Sequence, residues 1–273
     1  MEDRHIHTKF CPHGSGDTLT QYVEVALEKK LTHITFTEHA PLPVNFIDPV
    51  PTKDSAMTWQ NVEKYINEVI RIKKQFKNQI SISCGFEVDY IEGFEKEIQS
   101  FLDTYGLYIE DSILSVHFLR LKTTDYMAID YSSEYFKKLV SEFGSLENVY
   151  DNYIQTLQKS VDCELGIYKP KRIGHITLAS KFQIDFPLTF SYGDKYKKLL
   201  ATMKEKGYSL DFNSSGLRKE LCLETYPSSH VLQQAIDYGI PLQFGSDAHV
   251  ARDVGAYFDI LEGMIQNVSH NEI

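Results

Sequence analysis

The chain has 273 residues, 42% of them hydrophobic and 24% charged, which supplies a full apolar core without staples and excludes a disordered or collagen-like chain. No run approaches the roughly 18 consecutive apolar residues of a membrane span. With 28 basic against 38 acidic residues the net charge is −10, the wrong balance for a general nucleic-acid binder, which presents a basic face.

Short β-like runs alternate with helical patterns. A strand is predicted over 4–10, then an amphipathic helix over 17–31 with Leu19, Val23, Ala26, Leu27 and Leu31 on one face. HITFTEH (33–39), rich in β-branched residues, is the second strand, and 58–76 the next helix. The third strand is ISISCGFEVDY (80–90), followed by a short helix over 93–105. SILSVHF (112–118) is the fourth strand, and Ser145 is placed to cap a helix reaching about Cys163. RIGHI (172–176) is the fifth. A helix over 195–206 stops at Gly207, and YSLDFN (208–213) is the sixth strand. A helix over 228–238 closes at Gly239, PLQFGSD (241–247) is the seventh strand, and 255–267 is the last helix.

Strands that each lead into a helix predict a mostly parallel α/β sheet, either closed into a barrel or open and doubly wound. Neither G-x-G-x-x-G nor GxxxxGK[ST] occurs, which weighs against a dinucleotide or P-loop site. Two connections exceed simple turns: 40–57, with Pro41, Pro43, Pro49 and Pro51, and 119–144, with Tyr126, Tyr131, Tyr135 and Phe136. Such stretches are lids, substrate walls or packed surface excursions. Cys11, Cys84, Cys163 and Cys222 lie far apart with no CxxC pair, as expected of free thiols. The opening MEDRHIHTKF lacks a signal-peptide core, so a cytoplasmic location is expected.

The chemistry-bearing residues fall at strand ends. His5 and His7 share one strand face, and Asp247-x-His249 repeats that spacing. His39 ends the second strand, Glu87 lies near the end of the third, His117 ends the fourth, His175 lies near the end of the fifth, and His13 sits in the first connection. In parallel βα folds those ends form one rim, where sites are built. His33, His230 and His270 scatter elsewhere and are read as ordinary structural histidines.

Seven imidazoles and two carboxylates are more than one ion needs, and a bridging carboxylate would let two or three share them. Mixed nitrogen and oxygen ligation suits zinc, iron or manganese better than calcium or magnesium. Such ions lower the pKa of a bound water to about 7 and hold anionic oxygens, so the site suits phosphate-ester hydrolysis by a metal-bound hydroxide. Arg218, in the NSSGLR run after the sixth strand, and Lys181, after the fifth, are the expected phosphate-binding cations. Arg172 is a weaker choice, on the opposite strand face and before the rim.

The ordered set His5-Ile-His7, His13, Thr37-Glu38-His39, Gly85-Phe-Glu87, Ser115-Val-His117, Gly174-His175 and Ser246-Asp-Ala-His249 resembles the polymerase and histidinol phosphatase (PHP) family of metallo-phosphoesterases. The resemblance implies a distorted seven-stranded (β/α)7 TIM-like barrel, with 1–273 as a single domain, and three transition-metal ions. His5, His7, Glu87 and Asp247 would hold one ion. Glu87 would bridge to a second, completed by His117 and His175, while His13, His39 and His249 would hold the third. A hydroxide bridging the first two ions would be the nucleophile. The length, the Glu-His after strand two and NSSGLRKE most resemble the histidinol-phosphatase branch, which implies hydrolysis of L-histidinol phosphate to L-histidinol and phosphate. The family places basic clamps where Arg218 and Lys181 stand, although relatives carry arginine at the second.

Asp89 competes with Glu87 by spacing, and the family pattern favours Glu87. Asp247 and His249 are considered as proton donors to the leaving alkoxide, with a water as the alternative. Asp130 and Glu134 are considered for the substrate ammonium. Other readings keep the chemistry with another ester, such as protein phosphotyrosine or nucleic acid, or keep only a metal-binding barrel. Amidohydrolases also begin with H-x-H, but commonly place a bridging lysine where this chain has Glu87.

Overall fold

The computed structural model describes residues 1–122 and 125–270. In chain order the elements are β1 (Glu2–Ile6), α1 (Leu19–Glu28), β2 (His33–His39), α2 (Val62–Phe76), β3 (Ser81–Asp89), α3 (Glu95–Tyr105) and β4 (Ile113–Ser115). Then come β5 (Phe118–Arg120), β6 (Tyr126–Ala128), α4 (Ser133–Phe143), α5 (Leu146–Asp162), β7 (Arg172–Ile173), α6 (Gly193–Glu205), β8 (Ser209–Asn213), α7 (Ser229–Asp237), β9 (Leu242–Gly245) and α8 (Phe258–His270). Seven strands pair in parallel in the order β1-β2-β3-β4-β7-β8-β9.

The sheet curls until its edges meet. Asp247 N donates to His5 O at 2.8 Å and His7 N to Ala248 O at 3.0 Å, just beyond the end of β9. The result is a nearly closed barrel, which decides between the two architectures the strand pattern allowed. Asp3, buried inside, fixes this seam by accepting from Ser246 N at 2.9 Å and Gly255 N at 2.8 Å. The strands are covered on both faces, and β2 is buried at every position from Ile34 to His39, its polar Thr35, Thr37, Glu38 and His39 included. Tyr65 of α2 lashes β2 to β3, its hydroxyl 2.8 Å from both Phe36 O and Gly85 O.

Several strands are shorter than predicted, chiefly at the rim. β1 stops at Ile6, β4 at Ser115 and β7 at Ile173, so His7, His117 and His175 lie just past their strands. There the backbone leaves the ladder: His117 O accepts from Ile129 N at 2.9 Å, and His175 O from the Tyr153 hydroxyl at 3.2 Å. Ser145 caps α5 as expected, accepting from Asn148 N at 3.1 Å.

The connection 119–144 is not simply a loop. It holds β6, which pairs antiparallel with β5, and α4, capped by Ser132 and ended by Gly144 at φ 83°. The connection 40–57 is irregular but fastened. The Asp48 carboxylate accepts from Val50 N at 3.0 Å, Ser55 N at 3.1 Å and Ser55 Oγ at 3.0 Å, and the Tyr135 hydroxyl donates to Pro49 O at 3.2 Å. Among the described residues no helix is long and apolar enough to cross a membrane.

Candidate metal centre

The strand ends carry their histidines to one mouth of the barrel, and a neighbouring acceptor aims five of the seven rings. His5 Nδ1 donates to Asp211 Oδ2 at 2.8 Å, His7 Nδ1 to Glu38 Oε1 at 3.2 Å and His117 Nδ1 to Asp89 Oδ1 at 2.7 Å. His13 Nδ1 donates to Asp54 O at 2.9 Å, and His249 Nδ1 to Asp247 O at 3.2 Å. With Nδ1 engaged, Nε2 of each ring keeps its lone pair for a cation.

Those lone pairs converge. His5 Nε2 and His7 Nε2 stand 3.2 Å apart, and each lies 3.4 Å from Glu87 Oε2. Asp247 Oδ1 is 3.2 Å from His7 Nε2 and 3.8 Å from His5 Nε2. The other oxygen of Glu87, Oε1, faces His175 Nε2 at 2.8 Å and His117 Nε2 at 3.7 Å. Ligands about 2.0–2.2 Å from a tetrahedral ion stand about 3.3–3.6 Å apart, so most of these spacings approach the edges of a coordination shell. Two ligand groups, His5-His7-Glu87 and Glu87-His117-His175, thus share one carboxylate.

A third group comprises His7, Cys11, His39 and His249, whose ligand atoms all lie within 4.8 Å of one another. His13 stands beside it, its ring centroid 5.2 Å from that of His39 and 5.0 Å from that of His249.

The donor set fits cations on a separate count. His39 Nδ1, His175 Nδ1 and His249 Nε2 have no hydrogen-bond partner, although buried polar atoms normally find one. His39 Nδ1 lies 3.1 Å from Glu87 Oε2 without the geometry of a hydrogen bond.

Charge is divided to match. Burial opposes the His5 imidazolium, but Asp211, Glu87 and Asp247 outweigh it and hold the pKa well above its ordinary value. His7 is pushed up to about 9 against the same burial, by Asp247 and Glu38, and His117 to about 10, chiefly by Asp89 and Glu87. Burial, then the His7 charge, holds His39 and His249 well below the usual range. Burial would raise Glu87 and Asp247, yet the surrounding imidazoles hold both well below the usual carboxylate range. Protons thus sit where cations would otherwise balance the carboxylates.

Close approach at the rim requires glycine at two points. A Cβ on Gly245 would stand 2.4 Å from Asp211 Oδ1 and 2.7 Å from His5 Cβ, and one on Gly174 would stand 2.1 Å from Ser115 Oγ. Ser115 itself donates to Glu87 Oε1 at 2.6 Å.

The centre floors a cavity of about 370 Å³. Its walls include Val50, Asp54 and Ser55 from 40–57, with Ala128, Asp130 and Tyr131 from 119–144, so both long connections contribute to the pocket. Its basic residues are Lys181 and Lys219. Arg218 is not among the lining residues. Its guanidinium donates to Ser246 O at 2.7 Å and Asp247 O at 3.3 Å, and its Nε lies 3.4 Å from Asp253. Lys181 is paired with Asp130, Nζ to Oδ2 at 3.0 Å, and holds its carboxyl below the usual range although burial works the other way.

Asp130 therefore reaches the cavity already partnered, and Glu134, in the first turn of α4, is not part of its wall. Asp89 orients His117 and belongs to none of the ligand groups, which Glu87 joins twice. Arg172 is buried, 3.1 Å from Asp111. His33 and His230 bond Thr35 and Gln234, away from the centre, and the His270 side chain lies outside those described.

Sequence reading missed Asp211, Lys219 and Cys11, and it used Glu38 only as a motif residue without its hold on His7. Asp211 carried a signal, a carboxylate inside an otherwise apolar buried strand (LDF). Cys11 carried a weak signal, since Cys11-x-His13 repeats the spacing of His5-x-His7, and Lys219 carried none.

A family model described as PHP domain matches residues 3–215. The chain is 52% identical over 265 residues to a protein of Bacillus subtilis named histidinol-phosphatase, covering 95% of this chain and 98% of that one. A crystal structure from Listeria monocytogenes, provisionally assigned as a histidinol phosphatase, superposes with a TM-score of 0.91 at 35% identity, covering 95% of this chain and 99% of the other. The fold is shared with a Lactococcus lactis histidinol phosphate phosphatase complexed with zinc, L-histidinol and phosphate, at a TM-score of 0.72 and 19% identity over 98% and 93% of the two chains. With its family model matched over most of its length and a relative 52% identical from end to end, the chain belongs to the PHP domain family, in its histidinol-phosphatase branch.

Proposed function

We infer that this protein is a metal-dependent phosphomonoesterase that hydrolyses L-histidinol phosphate to L-histidinol and phosphate. One observation carries the chemistry: the two oxygens of Glu87 are divided between two imidazole groups, one buried beneath and one lining a cavity that also presents Lys181 and Lys219. The substrate follows from the B. subtilis relative, similar along nearly the whole of both chains.

Three ions of zinc, iron or manganese are the reading the donor count supports best. His5, His7, Glu87 and Asp247 would hold the first, Glu87 with His117 and His175 the second, and His13, His39 and His249 the third. When bound, such ions supply Lewis acidity, which activates water near neutral pH and offsets the charge of phosphate oxygens.

The chain's own groups do the rest. Asp211, Glu38 and Asp89 fix the rings of His5, His7 and His117. Lys181 and Lys219 present ammonium groups to the phosphate, and desolvation together with Lys181 lowers the pKa of Lys219. Arg218 holds the carbonyls of Ser246 and Asp247 through Nη2 while its Nη1 has no protein partner, so it is kept as a phosphate clamp with an added positioning role. Asp247 and His249, both on the cavity wall and engaged as ligands when ions are bound, would serve proton delivery to the leaving alkoxide by holding a water that donates it. One domain over 1–273 is supported by β9, which lies beyond the matched residues yet pairs with β8 and meets β1.

The test is phosphate release by metal-loaded protein from L-histidinol phosphate, a phosphotyrosine peptide and single-stranded DNA in parallel. Preference for the first is expected. Turnover of another ester in its place would overturn the substrate.

A further inference from the structure

We propose that Cys11 is a metal ligand, its sulfur joining the rings of His39 and His249 around the third ion of the centre. The proposal rests on the metal-centre reading above.

The placement of Cys11 is built. Glu38 pins Thr8 through its backbone N–H at 2.8 Å and its hydroxyl. Two successive turns follow, Cys11 N to Thr8 O at 3.0 Å and Gly14 N to Cys11 O at 3.1 Å, and Ser15 N is stitched to His249 O at 2.9 Å. A Cβ on Gly14 would stand 3.1 Å from both Cys11 Cβ and Thr8 O, so the turn closes tightly on the cysteine. Cys11 is 4% exposed.

Its sulfur lies within 4.8 Å of the ligand nitrogens of His7, His39 and His249, an arrangement His13 does not match in this structure. A second observation points the same way. His249 belongs to the same group, its Nδ1 is engaged by the Asp247 carbonyl, and its buried Nε2 has no hydrogen-bond partner. Cys84, Cys163 and Cys222 join no such group among the described residues.

The step balances simply. The thiol loses its proton to solvent as the sulfur–metal bond forms, and the dication supplies the charge that sustains a buried thiolate. A thiolate is a soft ligand. The third position would therefore favour zinc, cobalt or iron over manganese, while the first two, built of imidazole and carboxylate, would discriminate less.

The experiment is optical spectroscopy of the cobalt(II)-substituted protein with cobalt counted per chain, on wild type, Cys11→Ser and Cys11→Ala. Wild type is expected to show a sulfur-to-cobalt charge-transfer band in the near ultraviolet that both variants lack while they keep the visible bands of the other ions. X-ray absorption of the wild-type zinc protein needs no variant, and is expected to show one sulfur at about 2.3 Å. Full loading without the band or the sulfur overturns the proposal alone, as does a band that survives in Cys11→Ser. Failure to take up any cobalt overturns the metal-centre reading and this proposal with it.

Discussion

At the scale of single residues, function depends on which ring nitrogen is left free. Asp211 holds His5 by Nδ1 and thereby points Nε2 at Glu87. Asp211→Asn keeps the shape but replaces a full acceptor charge with an amide that can present the wrong end. Substitutions of such supporting groups typically cost 10–100-fold in metal affinity or activity. That loss is expected here, with an unchanged circular dichroism spectrum. Wild-type metal affinity in the variant would show that the contact does not orient the ring.

Protonation gives a second residue-scale prediction. In the metal-free chain His7 has its pKa raised to about 9, so at pH 7 it carries a proton that an entering cation must displace. Apparent metal affinity should therefore rise with pH from neutrality toward about 9, where this contribution levels off. Zinc titrations in buffers of different ionisation enthalpy should count at least one proton released per chain at pH 7. Zero release would contradict the assignment.

At the scale of elements, much of the fold was readable because the pattern was local. β2 is one run rich in β-branched residues, Ser145 caps α5, and Gly207 and Gly239 end their helices in the left-handed region. The β5–β6 pairing and α4 went unread, because tyrosines spread over 119–144 obscured a regular helical face of Phe136, Leu139 and Phe143. Ends of β1, β4 and β7 were overestimated because rim residues continue the β-like composition while their backbone bonds leave the ladder. The proposed ligands that gather at the mouth were legible by spacing at strand ends. Their supports were not, since Asp211, Glu38 and Cys11 matter through contacts between distant segments.

The 40–57 connection offers a test at this scale. Asp48 makes three hydrogen bonds that fold the turn whose Asp54 carbonyl holds His13. Asp48→Ala should release the turn, raising KM several-fold and quickening proteolysis within 40–57, while global stability falls by about 1–3 kcal/mol at most. An unchanged KM and cleavage pattern would show that the connection does not shape the pocket.

At the scale of the whole molecule, barrel closure and site assembly are one event. The backbone bonds that join the sheet edges belong to His5, His7, Asp247 and Ala248, so the seam carries proposed ligands from the first and last strands. Gly245→Ala would press a methyl group on Asp211 and His5 at that seam. A loss of about 1–3 kcal/mol or more is expected, seen as a lower denaturation midpoint together with weaker metal binding. Loss of one without the other would separate closure from the site. Ions that bind only the closed barrel should also stabilise it, by about 2.7 kcal/mol for each site at free metal 100 times its dissociation constant.

The most direct test is a metal titration of chelator-stripped protein, following phosphate release from L-histidinol phosphate against ions bound per chain. Activity is expected to be absent in the stripped protein and to climb with occupancy until the shared centre is filled. Full activity without metal, or none at full occupancy, would contradict the account.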